Sequence, residues 1–215
     1  MSAGAALAVL AVHRFCQRRQ SARLLQVRGR YQFHDAYREV IRLRNGTRAW
    51  LRPVHPNDKA LLVAGMEHLS PDSRYQRFHR AKTAFTNTEL RYLTEVDGVN
   101  HFALGAGQVD GKGQTRTGLG VARFVRLPDD PSMAEAAVVV ADEMQGLGRA
   151  LFLRLIAAAR ERGVATVRCY VLGSNIAMRR LVAAVAPEAT TATESETLVF
   201  DIPLTSTTNS PPQFY

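Results

Sequence analysis

Two glycines, Gly146 and Gly148, interrupt the stretch VVVADEMQGLGRALFLRLI (138–156) between an apolar run and a segment whose apolar residues recur every three or four positions. A helix entered through glycines leaves its first backbone N–H groups pointing outward, with the positive end of the helix dipole behind them. The absent side chains let an anion approach the main chain closely. Phosphate binding is the chemistry such a turn offers, and a simple tight turn is the alternative. No Gly-Lys-Ser or Gly-Lys-Thr opens the helix, which excludes a P-loop, and no G-x-G-x-x-G run is present, which excludes a dinucleotide fingerprint. Cys16 and Cys169 match no zinc spacing and the six histidines show no ligand spacing, so no metal is expected.

A turn of this kind needs a strand before it and a helix after it. AEAAVVVA (134–141) reads as the strand, and a helix follows from about Arg149 to Arg162, ending at Gly163 with Arg160 and Arg162 in its last turn to complement the dipole. ATVRCYVL (165–172) is then a strand, SNIAMRRLVAAV (174–185) a helix and TLVFDIPL (197–204) a closing strand. Cys169, in mid-strand, reads as a small core residue and not a nucleophile.

Earlier in the chain, Asn45-Gly46 between two alternating runs in VIRLRNGTRAWLRP predicts a two-residue hairpin turn at the start of the folded domain. Asp58 is placed to N-cap a helix over KALLVAGMEHL, with Leu61, Leu62, Met66 and Leu69 on one face. LSPDSRYQRF gives a second short helix. Thr86 and Glu89 form a capping box for a third, with Leu90 and Leu93 buried. HFALGAG and GLGVARFV are strands joined by the polar loop QVDGKGQTRT. Strands and helices in this order make an α/β, or α+β layered, domain.

The net charge of +9 is concentrated at one end, since residues 1–50 hold ten arginines against Asp35 and Glu39 and so carry +8 of it. The folded body is nearly neutral, and no nucleic-acid partner is expected for it. The apolar run near the start precedes its positive charge, unlike a secretory signal, and is too short to span a bilayer. An organelle presequence, an interfacial helix and a disordered extension remain open for residues 1–40. The lack of a disulfide framework points to a reducing, cytoplasmic setting. TSTTNSPPQFY (205–215) has the composition of a mobile tail.

With strand, glycine turn and helix in view, the chain resembles the GNAT superfamily of acyl-CoA-dependent N-acetyltransferases, whose signature is a strand, then Gln/Arg-x-x-Gly-x-Gly/Ala, then a helix. Gln145, Gly148 and Ala150 fit that signature. The likeness runs from about Ile41 to Leu204, leaving 1–40 as an extension and 205–215 as a tail. Within it, IRLRNGTRAWLRP, LSPDSRYQRF, LRYLTEVDGVNHFAL and GVARFVRLPDD look like the branch of bacterial Pat-type protein lysine acetyltransferases.

The resemblance implies a mixed, mostly antiparallel twisted sheet with helices on both faces. It also implies acetyl-CoA as acyl donor, an amine acceptor such as a protein lysine, and a pyrophosphate wrapped by Gln145, Gly146, Leu147, Gly148, Arg149 and Ala150. The pantetheine arm would pair with the main chain of Val138, Val139 and Val140, where a backbone N–H would also polarise the thioester carbonyl. Asn175 would lie near pantetheine, and Arg179 or Arg180 would meet phosphates. QGLG is two residues shorter than the usual loop, so a second register is open, with Gly146 and Gly148 as the small pair and Glu143 at the Gln/Arg position.

A lysine is neutral only about once in a few thousand at pH 7, so amine acylation needs a general base. Glu135, three residues before the valines, matches the glutamate of Pat-like enzymes, with a solvated strand residue as the plain alternative. The tyrosine that many relatives place seven residues after the asparagine is Val182 here, with Tyr170 as a substitute acid. Besides the acetyltransferase, two other readings stand: a non-catalytic acyl-CoA sensor, and anionic-surface binding through the Arg-rich arm.

Overall fold

The computed structural model of the protein describes residues 31–78, 83–109, 115–142 and 144–204. Most of the Arg-rich arm, the tail, residues 110–114 and Glu143, on which the second loop register depends, lie outside them.

β1 (Glu39–Arg42) and β2 (Arg48–Pro53) form the expected hairpin, but its turn differs from the two-residue form. Gly46 N–H donates to Leu43 O at 2.9 Å, Leu43 N–H donates to Thr47 O at 2.9 Å, and only Gly46, at φ +84°, is left-handed. This is a type I turn closed by a glycine bulge, which spares Asn45 the positive φ that a type I′ turn demands of both central residues. Asp58 stands at the N-cap position expected of it, but its side chain makes no capping bond to the helix that follows. Its buried carboxylate accepts two bonds of 2.6 Å from Arg52 and one of 2.7 Å from His55 N–H, closing a capping box around the short 3-10 turn Pro56–Asp58. The charge-assisted fork with Arg52 outweighs a single helix-capping bond.

Helix α1 (Lys59–Glu67) follows, then α2 (Pro71–Phe78) and α3 (Asn87–Thr94). The Thr86–Glu89 capping box is formed in both directions. β3 (His101–Val109), β4 (Thr115–Arg126) and β5 (Met133–Val140) continue the sheet, and α4 (Leu147–Glu161) crosses to β6 (Thr166–Leu172). After α5 (Ile176–Val185) come β7 (Thr190–Glu194) and β8 (Thr197–Pro203). The eight strands lie in the order β1-β2-β3-β4-β5-β6-β8-β7, antiparallel except for β5 against β6. β7 was not expected, because all five of its residues are exposed at the sheet edge and leave no apolar alternation to read.

Helices cover both faces. Leu147, Leu151, Phe152 and Leu155 of α4 pack into one core with Ala122, Phe124, Ala134, Ala136, Val167 and Cys169. On the other face α1 lies close enough that a Cβ on Gly118 would stand 3.0 Å from Leu61 O. The packed body also reaches back before Ile41. Phe33 is fully buried, and the buried Arg162 donates to Phe33 O, Ala158 O and Gly98 O while its guanidinium stacks on Tyr31 and Phe102. Burial holds the Arg162 guanidinium at about 10. Glu39 accepts from Arg154 of α4 at 2.5 and 2.6 Å and from the Tyr37 hydroxyl.

Candidate functional site

β5 and β6 pair for only three residues, Met133 to Glu135 against Thr166 to Arg168. Beyond that point β5 stays on β4 as far as Val140 and β6 stays on β8 as far as Leu172, so a wedge opens between them. The hydrogen bonds Leu127 N–H to Met133 O and Ala141 N–H to Leu119 O show that odd-numbered residues of β5 turn their main chain toward β4. By alternation, Ala136, Val138 and Val140 turn theirs into the wedge. The expectation for pantetheine therefore narrows to Val138 and Val140, since the main chain of Val139 faces β4.

Side chains alternate the same way. Ala134 and Ala136 enter the α4 core, while Glu135, Ala137 and Val139 project from the opposite face. Glu135 is half-buried at the root of the wedge, opposite Arg168 on β6 and Val125 on β4. Two guanidiniums share its face. Arg168 is held by Asp201 through two bonds of 2.7 Å, which push it above the usual arginine range. Arg123, two residues from Val125, is 5% exposed, with Nη1 3.1 Å from His101 Nε2 and Nη2 donating to Leu93 O. Burial, with Arg123 beside it, pushes His101 well below the ordinary histidine value, so the ring is neutral and Nε2 accepts. Burial pushes the Cys169 thiol up to about 12, and the nearby Glu135 and Asp201 carboxylates add to this, so the core reading of that residue holds.

At the other end of the wedge, Gly146 N-caps α4 at φ +89°, a conformation that favours glycine. Ala150 N–H makes the first helical bond, to Gly146 O, and Leu147 N–H donates to Met144 O. Gly148 and Arg149 carry the first-turn N–H groups that face outward, with no acidic residue in that turn. Leu147 is fully buried and its N–H is engaged, so it anchors the loop and offers no donor. Gln145 is exposed, and Arg149 reaches across to Ala184 O of α5 at 3.3 Å. A Cβ on Gly148 would meet only Val140 Cγ2 at 3.7 Å and Leu181 Cδ2 at 3.9 Å. The protein's own packing does not require that glycine, so the space in front of it fits a ligand's approach to the main chain.

Asn175 N-caps α5, its Oδ1 accepting from Met178 N–H at 2.9 Å, which commits that oxygen to the helix. Val182, at the position of the missing tyrosine, is 1% exposed in the core. On the Glu135 face, α1, α3, β4 and β5 enclose an apolar cavity of about 70 Å³ lined by Leu61, Leu62, Met66, Leu93, Val139 and Arg123 among others. Arg123, His101 and Arg168, which lie near the candidate site, were not singled out by periodicity. The signal available was an arginine amid the apolar run GVARFV. Among the described residues no group of acids, histidines and cysteines could hold a metal, and no helix is long and apolar enough to cross a membrane.

No family model matches the chain. It is 36% identical over 143 residues to Acetyltransferase Pat of Mycolicibacterium smegmatis, an alignment covering 66% of this chain and 41% of that protein. Among solved structures, the GNAT domain of S. lividans PAT superposes with a TM-score of 0.67 at 26% identity, covering 77% of this chain and 96% of that one. A cAMP-binding acyltransferase from Mycobacterium smegmatis gives 0.54 at 28% identity, covering 79% of this chain and 48% of that one. The chain thus spans less than half the length of the two longer relatives. A sheet split after Glu135, a helix entered through Gly146 and these likenesses agree: the chain has the fold of the GNAT acetyltransferases and is similar to those of the Pat type.

Proposed function

We propose that this domain transfers an acetyl group from acetyl-CoA to the side-chain amine of a protein lysine, in the cytoplasm. The observation that carries the reading is the parting of β5 from β6 immediately after Glu135, which sets an unpaired strand edge beside a carboxylate. Val138 and Val140 offer main-chain groups to the amides of pantetheine, as a strand edge receives an extended peptide. The N–H groups of Gly148 and Arg149, at the positive end of α4, would receive the pyrophosphate, with Gln145 alongside.

When bound, acetyl-CoA supplies an activated acyl carbon. Glu135 takes a proton from the lysine ammonium, through a water, so that the neutral amine can attack the acyl carbon. Arg123 and Arg168 lie on the same face of the sheet as Glu135. A Val138 or Val140 N–H is available to the acyl oxygen. The cavity between α1 and β5 has apolar walls suited to the aliphatic stem of a lysine, next to Val139.

Glu135→Gln tests this. Acetyl-CoA affinity by calorimetry should stay within about twofold, while turnover on lysine peptides falls about 10²- to 10⁴-fold, the usual contribution of a general base. Equal turnover in both forms would remove Glu135 from the chemistry. Acetyl-CoA binding with no turnover by the unaltered protein would favour a non-catalytic sensor, the reading to which the buried Val182 lends weight.

A further inference from the structure

Helix α2 is capped from outside itself. Ser70 precedes Pro71, its Oγ accepts from Ser73 N–H at 3.1 Å and its carbonyl accepts from Arg74 N–H at 3.0 Å, so Ser70 is the N-cap and Ser73 the third helical residue. In a capping box that third residue is Glu or Gln, and its side chain reaches back to the N-cap N–H, as Glu89 does for Thr86 in α3. In α2 the acceptor is instead Asp142, 72 residues away. Its Oδ2 accepts from Ser70 N–H at 3.1 Å and its Oδ1 from the Ser73 hydroxyl at 2.5 Å. The bond from Ser73 holds the Asp142 carboxyl below the ordinary aspartate value, so the group is ionised and only accepts.

The two ends of this clasp belong to the two halves of the candidate site. Met66 and Leu69, joined by Leu69 N–H to Met66 O at 3.2 Å, line the apolar cavity offered to the acceptor and lead into Ser70. Val140 and Ala141 line the opposite wall and lead into Asp142. From there the chain reaches the start of α4 through two successive turns, closed by Met144 N–H to Ala141 O at 3.0 Å and Leu147 N–H to Met144 O at 3.1 Å. A ligand that fixes the N–H groups of Gly148 and Arg149 thereby also fixes the carboxylate that caps α2. Both serines of LSPDSRYQRF, a stretch with no part in the transfer chemistry, are engaged in this one contact.

We propose that Asp142 is a positioning residue that couples the two substrates: it ties the acceptor wall of α1 and α2 to the loop that receives the pyrophosphate, so that coenzyme A and the acceptor lysine each bind more tightly when the other is present. This rests on the reading of the wedge and its flanking cavity as a lysine acetyltransferase site. Linkage makes the coupling reciprocal, and about fivefold is the lower end of what such couplings amount to.

Calorimetric titration with coenzyme A and Nα-acetyl-lysine amide, which cannot react with each other, reads the coupling, and turnover of the same amine with acetyl-CoA is measured beside it. In the unaltered protein the amine should tighten coenzyme A at least about fivefold, and coenzyme A should tighten the amine by the same factor. Asp142→Ala should bind coenzyme A alone nearly as before, lose the coupling and melt at a lower temperature. At saturating acetyl-CoA its KM for the amine should rise about fivefold with kcat little changed. Adding Ser73→Glu to Asp142→Ala separates positioning from stability, because a glutamate at the third helical position completes the capping box within α2. The double variant should regain the melting temperature but not the coupling. Coupling regained with the cap, coupling intact in Asp142→Ala, or turnover without coupling in the unaltered protein would each overturn the proposal and leave the transferase reading standing. No turnover of this amine or of lysine peptides by the unaltered protein removes the reading itself.

Discussion

Replacing Gly148 by alanine should move stability and acetyl-CoA affinity in opposite directions. Gly148 sits in the first turn of α4 without a positive φ, and the added methyl would rest at 3.7 Å from Val140 and 3.9 Å from Leu181, ordinary contacts. A glycine inside a helix costs about 0.5–1 kcal/mol relative to alanine, so the variant should gain that much. At about 2–4 °C per kcal/mol for a domain of this size, the melting temperature should rise a few degrees. The same methyl points between Val140 of β5 and Leu181 of α5, the passage from the helix N-terminus to the open strand edge. Calorimetric titration with acetyl-CoA should therefore show affinity reduced at least about tenfold, a loss of about 1.4 kcal/mol. Gly146→Ala is the control of opposite sign. Nothing lies within 4 Å of its Cβ, but φ is +89°, so it should lose about 1–2 kcal/mol of stability from backbone strain alone. A Gly148→Ala protein that is more stable and binds acetyl-CoA as well as before would refute the placing of the pyrophosphate at this turn.

Three further outcomes follow from the buried ionic groups. Glu39→Gln should cost about 3 kcal/mol in urea unfolding at neutral pH, because it removes the carboxylate that forks onto the buried Arg154. Arg154 holds the Glu39 carboxyl below its ordinary value, so its contribution is complete above the unfolded carboxylate pKa and disappears as pH falls below about 4; the stability gap between unaltered protein and variant should narrow there. His101, held low by burial and Arg123, is neutral in the folded state but charges in the unfolded chain below about pH 6.5. Stability should thus decline as pH falls from there, by up to about 1.4 kcal/mol per unit, with a shallower slope in His101→Gln by urea titration at pH 7.5 and 5.5. In a Cys16→Ser background, the buried Cys169 should resist thiol reagents at neutral pH until denaturant is added, as followed by mass spectrometry.

What was readable in the chain was whatever is set by neighbours in sequence. The Thr86–Glu89 box, the three- and four-residue spacing of Leu151, Phe152 and Leu155, and the alternation of β5 and β6 are local, and each became the element expected of it. What was not readable depended on partners far away. Asp58 changed role because Arg52 approached it, Glu39 is held by an arginine 115 residues distant, and β7 shows no buried face because its backbone finds β8 from the sheet edge. The site divides on the same line. Gly146 and Glu135 carry their own signals in sequence, but the narrowing of the three valines to Val138 and Val140 requires knowing which neighbour each main-chain group faces.

That division also shows why the candidate groups gather where they do. Strand pairing normally satisfies every N–H and C=O between neighbours, so a parallel pair that stops after three rungs leaves polar main chain exposed along its inner edges. Here both strands can part because each has a full ladder on its outer side, β5 on β4 and β6 on β8, and the opening sacrifices only the bonds between them. Alternation then fixes the rest. The residue that closes the last rung on β5 points its side chain to the uncovered face, and that residue is Glu135; its partner on β6 is Arg168, and the next residue on that face is Tyr170. A carboxylate, a guanidinium and a phenol are thus brought to one short edge by strand register, without a loop to hold them. An insertion of one residue in β6 ahead of Arg168 would turn both Arg168 and Tyr170 into the α4 core while leaving the helix N-terminus intact. Such a protein, if folded, should bind coenzyme A phosphates yet fail to transfer, separating the cradle from the chemistry.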